Sequence, residues 1–184
     1  MADFKRAFTK LMKLEFNSPS NYLHKNQGEN DYTIGGIYKS AHPLWIGWLI
    51  VSVAIEKNNT LAQASQELYH STTIQELVAQ FYKVQFWDKI KGDSIRSQNT
   101  AEEIFLFGVN SGMKNAVRKA QKIIGCETDG MVGPMTLEAL NEFHEGQFDM
   151  QFDELEKQFY ADLILKKPSF KIFENGWNNR AEYV

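Results

Sequence analysis

The stretch Asp3-Phe4-Lys5-Arg6-Ala7-Phe8-Thr9-Lys10-Leu11-Met12-Lys13-Leu14-Glu15 opens the chain with a helical pattern. Its apolar residues recur at helical spacing and its basic residues occupy the other side, which predicts an amphipathic helix packed on a core. Glu15 falls in the last turn, four residues after Leu11, and so follows the apolar side. We therefore expect Glu15 to be partly buried, beside a polar loop that runs from Asn17 to Asp31.

A carboxylate at this position has two interpretations. Partial burial and the negative end of the helix dipole both favour the protonated carboxyl, which is what a general acid needs near neutral pH. The alternative is an ordinary solvated glutamate at a frayed helix end. The position of Glu15 alone does not decide between them.

The rest of the chain predicts a mainly α-helical protein. The exception is residues 30–38, where Gly35-Gly36 suits a tight turn between two short strands. With 184 residues, the chain is expected to form a single domain. The predicted helices are a buried central one over Leu44 to Ile55 started by Pro43, then Thr60 to Tyr69, Thr72 to Lys91, one capped by Thr100, Lys114 to Ile124, Thr136 to His144, Phe152 to Leu165, and a shorter tail segment.

Charge and residue counts exclude several classes of function. The net charge of -3 argues against a nucleic-acid binder that works by neutralising phosphates. Cys126 is the only cysteine, which rules out an intramolecular disulfide and a thiolate zinc cage. The histidines show no metal-binding spacing, so neither a metal site nor a cofactor is expected; they are His24, His42, His70 and His144.

The N-terminal sequence lacks a continuous apolar region and a small-residue cleavage site, so no secretory signal is predicted. The longest apolar run, Leu44 to Ile55, is too short to span a bilayer comfortably. We expect synthesis in the cytoplasm and no stable membrane insertion.

Three segments occur in a characteristic order. They are Leu14-Glu15, then Tyr32-Thr33-Ile34-Gly35-Gly36-Ile37, then Phe105-Leu106-Phe107-Gly108-Val109-Asn110-Ser111-Gly112. In this order they resemble glycoside hydrolase family 108, a family of lysozyme-like muramidases that includes phage endolysins and secretion-activator proteins. The resemblance implies a lysozyme-like α-helical bundle and a catalytic role for Glu15 as general acid.

The stretch Asp129-Gly130-Met131-Val132-Gly133-Pro134-Met135-Thr136 carries a complete DGxxGPxT motif. It resembles the predicted peptidoglycan domain that usually ends these proteins, and Asn175 to Arg180 fits their GWxxR ending. The resemblance thus divides one globule into a catalytic region, 1–112, and a peptidoglycan region, 113–184.

The motif over residues 129–136 could contact peptidoglycan or form a tight turn between two helices. A helix-turn-helix DNA reader is another interpretation of these helices. The acidic Glu138, Glu142 and Glu145 would repel phosphate and disfavour it.

The chain departs from the family pattern around the first site. Glu15 is followed by Phe16-Asn17 rather than by Gly-Gly-Tyr, and the loop from Lys25 to Asp31 lacks the DPGG-type sequence. From this first motif, only the acid itself carries over.

Glycoside cleavage needs a second group opposite the acid, either a nucleophilic carboxylate or one that positions a water molecule. Glu29 and Asp31 are the available carboxylates, and we choose Asp31. It lies two residues before Thr33, so on an extended strand both side chains point to one face, where Thr33 could hold a water. Asp31 could instead cap its own turn. The order Glu, Asp, Thr resembles that of phage-type lysozymes, which implies a single displacement with inversion.

Sugar rings present apolar faces that pack on aromatic side chains and polar edges that need hydrogen-bonding groups. Asn110 closes an apolar helix and must find polar partners, which a cleft would supply. The predicted substrate-binding residues are Tyr22, Glu29, Tyr32, Tyr38, Trp45 and Asn110.

These observations predict a monomeric muramidase that cleaves peptidoglycan between N-acetylmuramic acid and N-acetylglucosamine without a cofactor. The competing hypothesis is a non-catalytic peptidoglycan-binding or secretion-accessory protein on the same fold. The resemblance allows a role in phage lysis or in bacterial secretion. It also implies passage to the periplasm or cell wall through a holin or a dedicated exporter.

Overall fold

The computed structural model describes residues 1–15 and 18–181, so Phe16 and Asn17 of the departing motif lie outside the described residues. The predicted mainly α fold with a small antiparallel sheet is confirmed. The chain forms two compact units, which are the hairpin unit (Phe8–Lys83) and the C-terminal unit (Met1–Ala7 with Val84–Val184). None of the described helices is long and apolar enough to cross a membrane.

The hairpin unit holds the small sheet and most of the first four helices. Helix α1 is capped by Asp3, whose Oδ1 accepts a hydrogen bond from Arg6 N at 2.8 Å, and Leu11 is fully buried. Thr60 and Ser71 cap the third and fourth helices in the same way. The elements are α1 (Phe4–Glu15), a 3-10 turn (Pro19–Asn21), β1 (Leu23–His24), β2 (Thr33–Ile34), β3 (Ile37–Tyr38), α2 (Gly47–Lys57), α3 (Leu61–Tyr69) and α4 (Thr72–Tyr82).

The expectation of a buried central helix from Leu44 to Ile55 is wrong in two respects. Helix α2 begins at Gly47 rather than after Pro43, and only one of its sides is buried, through Trp48, Val51 and Ala54. Helix α2 carries apolar residues on all of its sides, so its hydrophobic pattern does not indicate which side faces the core. Large apolar side chains that remain exposed are Leu44 (96%), Ile46 (63%), Leu49 (69%) and Val53 (62%).

The three strands pair in the order β1-β2-β3, and both pairs are antiparallel. Gly35 and Gly36 join β2 to β3 with φ angles of 51° and 79°. Two successive positive φ angles are the signature of a type I′ hairpin turn, so the predicted tight turn is confirmed. Strand β1 lies within the segment that was predicted to be a loop. It was not predicted because a strand of two residues shows too little of a pattern.

The C-terminal unit is helical. The predicted long helix from Thr72 to Lys91 is wrong beyond Tyr82, where the α-helix ends and the chain continues as a π turn and a 3-10 turn. Trp87 is fully buried, and its Nε1 donates to Asp93 Oδ1 at 2.7 Å. The elements are a π turn (Lys83–Trp87), 3-10 turns (Asp88–Ile90 and Gly92–Ser94), α5 (Gln98–Ser111), α6 (Met113–Ile123), α7 (Pro134–Glu142), α8 (Glu145–Lys166), a 3-10 segment (Pro168–Phe173) and α9 (Glu174–Ala181).

Helix α5 is buried over most of its length, as its apolar sequence predicted. Its cap is Ser97, whose hydroxyl accepts from Thr100 N at 3.0 Å, and not Thr100, which lies inside the first turn. Phe107 packs edge-to-face against Phe152 and Phe159 of α8, at ring-centre distances of 5.8 and 5.3 Å. These aromatic contacts form part of the core of this unit.

Candidate functional site

Glu15 ends helix α1, as predicted, but its side chain is exposed rather than partly buried. Leu11, one turn earlier on the same side, is fully buried. The last turn of the helix lies at the rim of the packed surface, which leaves the carboxylate accessible to solvent.

Tyr82 connects the end of α1 to the hairpin. Burial raises the pKa of the Tyr82 phenol, and the negative charge of Glu15 raises it further. Tyr82 Oη donates to the carbonyl of Gly35 at 2.9 Å, and Gly35 N donates to the carbonyl of Tyr22 at 3.0 Å. Tyr82 therefore anchors the type I′ turn and is also the phenol that the charge of Glu15 influences.

The strand register sorts the hairpin residues into two faces. Thr33 pairs with His24 on one side and with Tyr38 on the other, so these three side chains share one face. Leu23, Ile34 and Ile37 point to the opposite face and are buried.

Asp31 extends the first of these faces. Ser40 lies opposite it in the continued register, and its hydroxyl donates to Asp31 Oδ2 at 2.6 Å. The polar face is thus His24, Asp31, Thr33, Tyr38 and Ser40. It brings Asp31 and Thr33 together, in agreement with their spacing in the sequence.

Two predicted polar groups lack internal partners. Thr33 is only 9% exposed, yet its hydroxyl makes no hydrogen bond to any residue within the described ranges. Glu29 is half-buried, and its Oε2 is inaccessible to solvent without a hydrogen-bond partner in the described part of the chain. A buried oxygen without a partner, such as Glu29 Oε2, is uncommon and is typical of sites that bind water or a ligand. The Thr33 hydroxyl is not among these buried atoms and stays open to a water molecule.

The predicted substrate-binding aromatic residues have different surroundings. Tyr22 is fully buried and packs edge-to-face on Tyr69 at 5.5 Å, so it has no accessible surface for a sugar, and this assignment is corrected. Tyr38 is half-buried on the polar face. Trp45 is half-buried and packs edge-to-face on Trp48 at 5.3 Å.

Tyr32 alternates with Thr33 along the chain and so points to the other face of the hairpin. There it lines a cavity of about 160 Å³ together with Lys39, Trp48 and Glu56. Aromatic, basic and acidic side chains around one small cavity are suited to a sugar ring with its polar edge groups.

Asn110 lies in the C-terminal unit, whereas the other predicted site residues lie in the hairpin unit. Its Nδ2 donates to Tyr160 Oη at 2.8 Å, which supplies the polar partner that a helix-closing amide needs.

The motif over residues 129–136 is held by Gln121, which is 1% exposed. Gln121 Nε2 donates to Asp129 Oδ1 at 2.7 Å and to the Met131 carbonyl at 2.9 Å, while its Oε1 accepts from Gly130 N at 2.8 Å. The hydrogen bond from Gln121, followed by one from Met131 N, lowers the pKa of Asp129. The polar groups of this turn are satisfied from within, which favours the structural interpretation.

Among the described residues, three carboxylates of the C-terminal unit could hold a metal ion. Oxygens of Glu103, Asp149 and Asp153 lie within 4.8 Å of one another. Asp149 also accepts a hydrogen bond from Asn99 Nδ2 at 2.8 Å. Acidic side chains often lie this close without a cation, so proximity alone does not make the cluster a metal site.

The sequence reasoning missed three residues near this site. His24 and Ser40 were overlooked because strand β1 and the continued register were not predicted, and Tyr82 because its hydroxyl partner lies 47 residues away along the chain. No local pattern marked strand β1, because its two residues, Leu23 and His24, are too few to show an alternation.

Comparison with family models matches residues 20–112 to Glycosyl hydrolase 108 and residues 115–182 to the Predicted Peptidoglycan domain. Glu15 precedes the first matched range, so its role stays a prediction. Together, a glycosyl hydrolase region and a peptidoglycan domain support a peptidoglycan hydrolase.

Comparison with curated proteins gave no match. Among solved structures, that of Brucella abortus SagA is 20% identical, with 97% of this chain and 89% of that chain covered and a TM-score of 0.63. At this identity the likeness is one of fold.

Proposed function

Because the chain belongs to glycosyl hydrolase family 108, we propose that it is an N-acetylmuramidase. It cleaves the β-1,4 bond between N-acetylmuramic acid and N-acetylglucosamine in peptidoglycan, which makes the cell wall its place of action. The observation that carries the proposal is the match of residues 20–112 to Glycosyl hydrolase 108, a range that contains the hairpin with Asp31 and Thr33 on its polar face.

In the proposed reaction, Glu15 gives its proton to the leaving glycosidic oxygen. A water molecule held at Thr33 and Asp31 attacks the anomeric carbon from the opposite side. The carbon–oxygen bond to the leaving sugar breaks as the bond to the water oxygen forms, and the configuration inverts. The unpartnered hydroxyl of Thr33 supports its role as the water-binding group.

The exposure of Glu15 in the free protein is compatible with this role. A bound glycan strand would cover the carboxylate and exclude bulk water from the glycosidic oxygen beside it. The cavity beside Tyr32 and Trp48 supports a sugar-binding surface in the same unit.

The test compares Glu15→Gln with the wild type on purified peptidoglycan. Clearance of turbidity and formation of new N-acetylmuramic acid reducing ends are measured together. Glu15→Gln is expected to lose about 100-fold or more of the cleavage rate, since the amide cannot donate the proton. Equal rates for both proteins would remove Glu15 from the mechanism.

Glu142→Gln is the matched control. Glu142 is also an exposed glutamate that ends a helix, but it belongs to the C-terminal unit. Its substitution should leave the cleavage rate within about twofold of the wild type, and both variants should keep the wild-type circular dichroism spectrum.

A non-catalytic peptidoglycan-binding protein is the second candidate, and the match of residues 115–182 to a peptidoglycan domain favours it. This candidate predicts that the wild-type protein sediments with peptidoglycan but releases no reducing ends.

A further inference from the structure

We propose that His24 is the group that accepts the proton of the attacking water. The inference rests on the muramidase function proposed above and names its second catalytic residue. It assigns Thr33 to binding the water and Asp31 to orienting it.

The strand register places His24 beside Thr33. His24 lies directly across from Thr33 in the β1–β2 ladder, and directly opposed residues on one face of a sheet have Cβ atoms about 4.5–5.5 Å apart. His24 is half-buried, whereas Thr33 is nearly covered. A water bound to the Thr33 hydroxyl therefore lies within reach of the imidazole.

The imidazole ring of His24 makes one hydrogen bond that fixes its tautomer. His24 Nδ1 lies 3.0 Å from the carbonyl oxygen of Asn21. A carbonyl only accepts hydrogen bonds, so Nδ1 carries the proton, and Nε2 of the neutral ring has a free lone pair. Nε2 has no hydrogen-bond partner among residues 1–15 and 18–181. The ring is thus held in one tautomer with an acceptor available.

The two nearby carboxylates are less suited to this role. Asp31 Oδ2 already accepts a hydrogen bond from the Ser40 hydroxyl at 2.6 Å. Asp31 lies diagonal to His24 across the strands, where its negative charge would stabilise an imidazolium. Glu29 has a buried oxygen without a described partner, but it lies beyond the paired residues, after the turn closed by its own N–H and the Asn26 carbonyl.

The proton balance is complete. Glu15 transfers its proton to the leaving oxygen as that bond breaks, and the water oxygen bonds to the anomeric carbon. One water proton moves to His24 Nε2, which becomes an imidazolium. Solvent then removes this proton and returns one to Glu15, so the cycle consumes only water.

The experiment uses His24→Gln with azide as an external nucleophile. Without azide, hydrolysis of soluble peptidoglycan oligosaccharides should fall about 100-fold, because no group takes the water proton. Azide is an anion and needs no deprotonation, so it should restore turnover and give a glycosyl azide of inverted configuration, detected by mass spectrometry and NMR. Glu15→Gln should not be restored, because the leaving oxygen still lacks its proton.

Two further comparisons make the test independent of folding defects. His24→Asp and His24→Asn differ only in the ability to accept a proton, so the Asp variant should be at least about 10-fold faster without azide. His144→Gln is the matched control, since His144 is an exposed histidine of the C-terminal unit, and its rate should equal that of the wild type.

Three results would overturn the assignment. They are a His24→Gln rate close to that of the wild type, a loss that azide does not restore, and azide rescue of Glu29→Gln or Asp31→Asn in its place. An inactive wild-type protein would instead contradict the proposed function itself, which keeps the two failures distinguishable.

Discussion

The chain contains two glycine-rich turns, and their hydrogen bonds differ. In the turn at residues 129–136, the buried side chain of Gln121 bonds Asp129, Gly130 and Met131 at once. In the hairpin at residues 31–40, the hydroxyl of Thr33 has no partner among the described residues. Both turns match family motifs, but of the two only the hairpin has a hydroxyl, that of Thr33, without a described protein partner and so available to a ligand.

This difference separates a turn that joins two helices from one that carries the side chains of the proposed reaction. Glycine occurs in both because each turn has positions with a positive φ, at Gly35 and Gly36 in one and at Gly130 in the other. What distinguishes them is whether a buried side chain such as Gln121 satisfies the polar groups of the turn. We therefore expect substitutions in the first turn to affect stability, and substitutions in the hairpin to affect stability and hydrolysis together.

The largest stability effect is expected for Gly35→Ala. Gly35 has a φ of 51°, and a Cβ there would lie 3.0 Å from Tyr22 Oη and 3.1 Å from Val78 Cγ1, both on fully buried residues. Backbone strain and overpacking together should lower the free energy of unfolding by roughly 2–4 kcal/mol, measured by urea denaturation. The rate of hydrolysis should also fall, because a distorted turn would displace the side chains of the polar face.

Gly28→Ala provides the control for backbone strain alone. Gly28 has a φ of 86°, but a Cβ there meets nothing within 4 Å. Its cost should be about 1–2 kcal/mol. If both alanine variants lose the same stability, packing around Gly35 is not the constraint on the hairpin.

Gln121→Leu is expected to have the next largest effect. The leucine keeps the approximate volume but leaves the turn without its internal donor and acceptor, which should cost about 1–3 kcal/mol in the free energy of unfolding. The cleavage rate per folded molecule should not change. Gln158→Leu, at an exposed glutamine of α8, should stay within about 0.5 kcal/mol of the wild type.

A loss of cleavage or of peptidoglycan binding in folded Gln121→Leu would reverse this part of the comparison. It would mean that the turn at residues 129–136 contacts substrate as well as joining two helices.

The smallest effect is expected for Asp129→Asn, and it depends on pH. The hydrogen bond from Gln121 lowers the pKa of Asp129 below its ordinary value of 3.8 in the folded state. The unfolded protein therefore binds the proton first as the pH falls. The stabilisation is complete above 3.8 and disappears as the pH falls through the lowered value.

The stability advantage of the wild type over Asp129→Asn should accordingly stay constant well above pH 3.8 and shrink as the pH falls below that value, as followed by thermal unfolding. Asp129 is fully exposed, so solvent screening keeps the effect small. An advantage that is independent of pH would show that the Gln121 hydrogen bond does not favour the charged carboxylate.

The sequence predicted those parts of the fold that local chemistry determines. The helix over Thr60 to Tyr69 and the turn at Gly35-Gly36 were predicted because each depends on a few neighbouring residues. Spacing also put Asp31 and Thr33 on one face.

The remainder depends on contacts distant in sequence. Strand β1 owes its position to bonds such as Leu23 N to Ser65 Oγ at 2.9 Å, which no local pattern reveals. Which side of α2 is exposed, and whether Glu15 is exposed, depends on which surfaces the other elements cover. The same is true of His24, which becomes a candidate only once its register with Thr33 is known.

The two-residue connection between Ile34 and Ile37 also limits how the protein could be re-engineered. Because strand side chains alternate, a one-residue register slip in this hairpin would exchange the polar and buried faces and direct Thr33 into the core. The turn at residues 26–28 is exposed and lies outside the paired strands. Grafted loops meant to change which glycan is recognised should therefore enter there.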